Sequence, residues 1–163
     1  MEKIELLDTM RDRRAAWDAL IAQADGERMT RPGVAGEWSV KDIVAHVTWA
    51  ESETAQILQP RGSVGSQLWE LPEDERNAVV FELNRDRPLS EVLAESAEVF
   101  RRLLDAVQAL SQEDLNDAAR FQDMPLSEIP WRIVVANSFA HYYQHMPAIR
   151  AWLDRPSEDA DSP

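Results

Sequence analysis

With 163 residues, 44% of them hydrophobic, the chain is long enough to bury one core of ordinary domain size. Its formal net charge of -13 argues against nucleic acid and anionic membrane surfaces as partners. The sequence has no cysteine, which excludes disulfides, thiolate metal ligands and a cysteine nucleophile. Because the N-terminus lacks a signal-peptide pattern and no apolar run reaches membrane-spanning length, we expect a soluble, cytoplasmic protein.

Apolar residues recur with the helical period along most of the chain, and alternating strand patterns are nearly absent. Four long amphipathic helices are predicted, over residues 2–24, 39–58, 90–110 and from 127 or 130 to 153. In the second helix, Ser39 has the position of an N-cap and Asp42 that of its capping-box partner. Four such helices predict an all-α four-helix bundle over residues 1–155, followed by a flexible acidic tail at 156–163.

The connection between the second and third helices, residues 61–88, is long for a bundle. Within it, a shorter helix is predicted over 72–83, since Pro72 and acidic residues are typical of a first helical turn. We expect this connection to form a lid or a pocket wall. Three further expectations concern details: a solvated face at 11–14, a kink at Pro147, and a third-helix apolar stripe of Leu93, Phe100, Leu104 and Val107.

The three histidines of the chain all lie on predicted inward helix faces. His141 and His145 are one turn apart on the fourth helix, and His46 lies on the second. If the two helices pack side by side, the three imidazoles can hold one divalent metal, with a position left open for water or substrate. The ligand type suits Zn, Ni or Fe(II). Glu53 and Tyr142 are the candidate catalytic groups, and Asn137 and Gln144 are further candidates to hydrogen-bond the imidazoles.

The same pattern has plainer explanations. Core histidines commonly hydrogen-bond a neighbour, and any helix brings an i,i+4 pair together. The six tryptophans and Tyr142 could line a pocket for an apolar ligand, although large aromatic residues in a small bundle more often form core. Composition and spacing alone leave these alternatives open.

Two segments resemble signatures of a known family. Residues 36–47, GEWSVKDIVAHV, resemble the second-helix signature of the DinB/YfiT-like superfamily. Residues 137–145, NSFAHYYQH, and their continuation to Leu153 resemble its fourth-helix signature, and the H-Y-x-x-H pattern there is most similar to the ClbS/DfsB branch. The resemblance covers about a quarter of the chain, but the order and separation of the segments fit its whole length.

The resemblance implies a bundle with a long crossover between the second and third helices. It also implies a metal site at the positions of His46, His141 and His145. Activities in the superfamily include transferases and isomerases that use glutathione, mycothiol or bacillithiol, and the ClbS/DfsB branch includes a cyclopropane hydrolase that detoxifies a genotoxin. We therefore expect a homodimeric, metal-dependent transferase or hydrolase of small molecules, with a low-molecular-weight thiol as a candidate cofactor. The alternative is a metal-free binding protein or ClbS-like hydrolase with an aromatic-lined pocket for an apolar or electrophilic ligand.

Overall fold

A computed structural model describes residues 1–59, 65–122 and 124–155 of the chain, and the predicted tail at 156–163 lies outside these ranges. The all-α expectation is confirmed, since these ranges contain helices and no strand. The α-helices are α1 (Lys3–Ile21), α2 (Gly26–Thr30), α3 (Val40–Ile57), α4 (Glu73–Asn84), α5 (Leu89–Ala109), α6 (Pro130–Asn137) and α7 (Phe139–Leu153). Short 3-10 turns lie at Gln67–Glu70, Asp114–Asn116 and Ala118–Arg120.

Helix α3 is the central element of the bundle. Fourteen of its eighteen residues are buried, and it contacts α4, α5, α6 and α7. Helix α1 packs against α5 and α7, so α1, α3, α5 and the α6–α7 pair enclose the core. None of the described helices is long and apolar enough to cross a membrane.

The start of α3 follows the sequence pattern. The Ser39 side chain accepts a hydrogen bond from the backbone N–H of Asp42, and the Asp42 carboxylate accepts one from the backbone N–H of Ser39. This capping box, predicted from the sequence, satisfies two amide groups that the first helical turn leaves without partners. It fixes the residue at which α3 begins and therefore the position of His46 along it.

The fourth predicted helix is divided, and a short additional helix follows the first one, which ends at Ile21. After α1 ends, the Asp25 carboxylate accepts a hydrogen bond from the backbone N–H of Arg28. Asp25 is thus the N-cap of the short helix α2. The fourth helix is interrupted at Ser138, whose backbone angles leave the helical region. There the Ser138 hydroxyl donates to the carbonyl of Val134, a bond that commonly bends helices. Helix α7 continues through Pro147, where the sequence predicted a kink.

Helix α5 buries a face slightly rotated from the predicted stripe. Its buried residues include Val92, Val99 and Leu103, whereas Leu93 is 36% exposed. Val107 is buried as predicted, and Phe100 and Leu104 are partly buried against the core. The prediction was wrong for Leu93 because residues adjacent in sequence lie only 100° apart on a helix, so one apolar pattern fits two neighbouring faces.

The crossover between α3 and α5 is held against α3 by two contacts. The buried Lys41 ammonium donates to the carbonyls of Asn84, Arg85 and Arg87 at the C-terminal end of α4. The Phe81 ring of α4 stacks on Trp38, with ring centroids 5.6 Å apart. The helix predicted at 72–83 is confirmed as α4, and these contacts fix it beside the N-terminal half of α3.

Replacing Lys41 with methionine should therefore loosen the crossover. Three carbonyls at the end of α4 would lose their charged donor, at a cost of about 1–3 kcal/mol. Hydrogen exchange followed by mass spectrometry should show faster exchange across α4. A matched control is Lys3→Met, because Lys3 donates in the same way to the carbonyls of Gln108 and Leu110 at the end of α5. Unchanged exchange of α4 in Lys41→Met would contradict this role.

Candidate metal centre

The three histidines meet where α3 and α7 pack together. His46 lies in the N-terminal half of α3, and His141 and His145 lie one turn apart on α7. One ring nitrogen of each lies within 4.8 Å of a ring nitrogen of each of the others. The convergence that the sequence left open is thus present, and it brings together residues 95 positions apart in the chain.

The ring nitrogens of this cluster are incompletely paired. The Nε2 atoms of His46 and His141 are 2.9 Å apart, close enough for one neutral imidazole to donate to the other. The buried Nε2 of His145 and the buried Nδ1 atoms of His46 and His141 have no hydrogen-bond partner among the described residues. Because unpaired buried polar atoms are costly, these nitrogens would be stabilised by a partner from outside the chain.

Burial and mutual repulsion keep the imidazoles neutral. Burial lowers the pKa of His46 to about 3, with further lowering by the positive charges of His141, His145 and Arg76. Burial, followed by His145, lowers the pKa of His141 to about 4, and burial also lowers the pKa of His145. A neutral imidazole is the form that coordinates metals, so protons compete weakly for these nitrogens near neutral pH.

An open pocket of about 150 Å³ adjoins the cluster. His46, Trp49 and Ala50 of α3 line one side, and the crossover contributes the opposite wall through Trp69, Glu73, Arg76 and Asn77. Ala136, Asn137, His141 and Gln144, from both sides of the break at Ser138, complete it. A cavity of this volume accommodates a ligand of about the size of benzene. The described part of the crossover is therefore a pocket wall, one of the two roles expected for it.

Glu53 fixes this wall in place. Its carboxylate is buried and accepts hydrogen bonds from the backbone N–H of Ser66, at 2.5 Å, and from the indole N–H of Trp69, at 3.1 Å. Gly65 lies against the same contact, since a Cβ atom there would be 2.7 Å from the Glu53 carboxylate and 2.8 Å from the Trp69 ring. Glu53 thus holds the segment that carries Trp69 over the pocket, and it makes no hydrogen bond to a histidine within the described chain.

Tyr142 points away from the histidines into the centre of the bundle. Its ring stacks on Trp17, with centroids 5.0 Å apart, and its hydroxyl donates to the carboxylate of Glu51. The guanidinium of Arg14 lies 3.4 Å from the same carboxylate and donates to the hydroxyl of Ser96 at 3.0 Å. These contacts define a buried polar cluster of Arg14, Glu51, Ser96 and Tyr142, with one residue from each of α1, α3, α5 and α7.

The sequence reasoning missed this polar cluster. The expectation of a solvated face at 11–14 is wrong for Arg14, which is only 7% exposed. Arg14 occupies the apolar stripe of α1 between Met10 and Trp17, and Glu51 occupies that of α3 between Val47 and Thr54. Opposite charges within the apolar stripes of two helices are the sequence signal from which the pairing of Arg14 with Glu51 could have been predicted. Burial raises the pKa of Glu51 to about 7, and Arg14 and Tyr142 act in the opposite direction.

Fold and site together define an all-α bundle with a candidate three-histidine metal centre in an open pocket. A family model described as the DinB superfamily matches residues 10–149. The chain belongs to the DinB superfamily, as the sequence resemblance predicted. The comparison with curated proteins and the comparison with solved structures found no match.

The donor set fits a divalent metal. It consists of three neutral imidazoles with unpaired ring nitrogens at the edge of a pocket from which a further ligand can approach. Of the groups predicted to hydrogen-bond the imidazoles, Asn137 and Gln144 line the pocket, whereas Glu53 and Tyr142 are engaged elsewhere. Sequence reasoning also missed Arg76 and Asn77, whose placement depends on how the crossover docks on α3.

The lowered histidine pKa values predict an acid-sensitive metal-free protein. Below the unfolded value of 6.5 the unfolded chain binds more protons than the folded one, so stability is lost as the pH falls toward the folded values of about 3 and 4. When the pH falls from about 7 to about 5, the free energy of unfolding should decrease by about 2 kcal/mol for each of His46 and His141. Urea denaturation of chelated protein measures this. His46→Gln should show a shallower pH dependence, and an unchanged slope would refute the assignment.

The buried polar cluster predicts a strongly coupled pair of substitutions. Arg14→Met leaves the Glu51 carboxylate buried without a cation and should cost about 3 kcal/mol of unfolding free energy. Adding Glu51→Gln removes the unpaired charge and keeps an acceptor for Tyr142, so the double variant should recover much of the loss. Arg13→Met is the matched control, because Arg13 is exposed and contacts only the exposed Tyr143 ring among the interactions described. Equal destabilisation of the single and double variants would show that the two charges are not coupled.

Proposed function

We propose that this protein is a metal-dependent transferase or hydrolase of small molecules, with the metal held by His46, His141 and His145. The observation that carries the proposal is the convergence of three neutral imidazoles with unpaired buried nitrogens beside an open pocket. Membership of the DinB superfamily supports it, since resemblance to that family implies a metal site at these positions. Three protein ligands leave room for a reacting group, which is the arrangement of catalytic zinc sites.

A bound divalent metal would supply Lewis-acid chemistry, polarising a substrate group or acidifying a water or a thiol. Imidazole ligands suit zinc, nickel or Fe(II). We propose zinc or nickel first, with a low-molecular-weight thiol as the cosubstrate of a transferase reaction. A detoxifying reaction on an electrophile, as in the ClbS/DfsB branch, is the finer form of this proposal, and the H-Y-x-x-H pattern at 141–145 motivates it.

The residues of the chain prepare the pocket for such a reaction. Trp49 and Trp69 lie against each other with ring centroids 4.9 Å apart and provide an apolar surface for an organic substrate. Asn137 and Gln144 offer amide groups beside His141. The contacts of Glu53 and Tyr142 favour positioning over direct catalysis: Glu53 orients Trp69, and Tyr142 fixes the rotation of α7. Their predicted catalytic roles stay predictions.

A second candidate function is metal-free. The paired tryptophans favour a binding protein or hydrolase for an apolar or electrophilic ligand, with the histidines acting as hydrogen-bonding or acid–base groups. The short distance between the Nε2 atoms of His46 and His141 is compatible with this alternative, because it is an ordinary hydrogen-bond distance. The metal measurement described next separates the two candidates.

Metal binding should be stoichiometric and should depend on each histidine. Protein purified without a nickel-affinity step, incubated with Zn, Ni or Fe(II) and desalted, should carry one equivalent by mass spectrometry. Because loss of a ligand exceeds loss of an outer hydrogen-bond partner, His46→Ala, His141→Ala and His145→Ala should each weaken binding by more than about a hundredfold. Tyr143→Ala is the matched control, since Tyr143 lies on α7 between the two histidines, is 48% exposed and does not line the pocket.

Two results would overturn the metal proposal. The first is less than one equivalent of every metal in the unaltered protein, and the second is unchanged affinity in the three histidine variants. Either result would leave the metal-free alternative as the better explanation of the pocket.

A further inference from the structure

Arg76 lies in the pocket wall opposite the histidines. It is half-buried in the second turn of α4 and lines the pocket together with His46. Its guanidinium carbon lies 4.8 Å from the centre of the Trp69 ring, and Trp69 is itself held by the hydrogen bond to Glu53. Stacking on a fixed aromatic ring limits the orientations of the guanidinium while leaving its N–H groups available for hydrogen bonding.

No carboxylate of the described residues forms an ion pair with Arg76, although the chain has 30 acidic residues against 17 basic ones. Arg87 and Arg101, by contrast, contact Glu95 and Glu98 at 2.5 and 2.7 Å. The acidic residue on the same wall, Glu73, lies one turn earlier, is exposed, and makes no ion pair with Arg76. Arg76 therefore brings a positive charge to the pocket without a compensating anion from the described chain.

Within the described chain, the rest of the pocket offers Arg76 no ion-pair partner, and its one other charged lining residue is the exposed Glu73. The three histidines are neutral donors, so a divalent metal held by them would add two positive charges that its ligands do not cancel. Besides the histidines, Arg76 and Glu73, the polar side chains of the lining are those of Asn77, Asn137 and Gln144, which carry no charge. With a divalent metal bound, the lining would carry a net positive charge, which a bound anion would stabilise.

We propose that Arg76 binds a carboxylate of the substrate and that the substrates of this site are small organic acids. The inference rests on the proposed function for the reaction, but the carboxylate site itself is built by Arg76, Trp69 and the pocket amides. A carboxylate is favoured because its planar pair of oxygens matches the guanidinium fork. The volume of about 150 Å³ suits an acid with a body about the size of a benzene ring, packed against Trp49 and Trp69.

Benzoate is the probe for the test, and benzamide is its neutral counterpart of similar shape. Binding is followed by ligand-observed NMR in metal-loaded and in chelated protein. Arg76→Gln should weaken benzoate binding by about tenfold or more in both forms, because a charged hydrogen-bonding partner is lost. Benzamide should bind the two proteins equally. Arg132→Gln is the matched control, since Arg132 stacks on Trp131 at 5.4 Å and does not line the pocket.

The metal content of Arg76→Gln is measured in the same samples and should equal that of the unaltered protein. If the unaltered protein takes up no metal but Arg76→Gln still weakens benzoate binding, the proposed metal-dependent function is refuted. The carboxylate site is then retained. Equal benzoate affinity in Arg76→Gln and the unaltered protein, or no benzoate binding at all, would overturn the assignment of Arg76 to a substrate carboxylate whatever the metal content.

A carboxylate could also belong to a thiol cosubstrate, so a second probe distinguishes the two sources. S-methylglutathione carries carboxylates and has no free thiol to bind a metal. If Arg76→Gln weakens the binding of benzoate, the assignment to the substrate stands. If it weakens only the binding of S-methylglutathione, Arg76 serves the thiol and the assignment to the substrate is overturned.

Discussion

The hydrogen bond from Tyr142 to Glu51 is the interaction on which the arrangement of the helices around the site depends. Glu51 is fully buried on the central helix α3, and Tyr142 reaches it from α7 while Arg14 reaches it from α1. A buried carboxylate is stable only when its oxygens are paired, so the helices that supply the partners have little freedom to slide or rotate. Arg14 also donates to Ser96, which extends the constraint to α5.

This constraint on α7 acts on the histidines because they share its helix. His141 precedes Tyr142, and successive helical residues point about 100° apart. With Tyr142 directed to the bundle centre, His141 and His145 face the neighbouring side, where His46 of α3 lies. The pair α3 and α7 is thus joined twice, by a charged cluster in the core and by an imidazole cluster at the pocket. The break at Ser138 lets α6 and α7 both contribute to that pocket, through Asn137 and His141.

Features that depend on residues close in sequence could be predicted, and those that depend on distant contacts could not. The capping box of Ser39 and Asp42 and the shared face of His141 and His145 follow from helical spacing alone. The resemblance supplied the pairing with His46, which spacing left undecided. The interruption at Ser138 was missed because a serine hydroxyl can bond the preceding turn or a neighbour, and its sequence does not say which. Arg76 was missed because its place in the pocket is set by contacts of Lys41 and Glu53 across the crossover.

The two buried polar clusters differ in a way that separates structure from function. In the cluster around Glu51, the carboxylate has a cation and a hydroxyl as partners, and the cation, Arg14, also pairs with Asp18 at 2.8 Å. In the cluster around His46, three ring nitrogens lack partners and Arg76 lacks an acidic partner among the described residues. Of the two clusters, the one around Glu51 is paired within the chain, whereas the one around His46 keeps unpaired nitrogens beside its pocket. The proposed metal would supply the missing partner of the imidazoles, and the proposed carboxylate would supply that of the guanidinium.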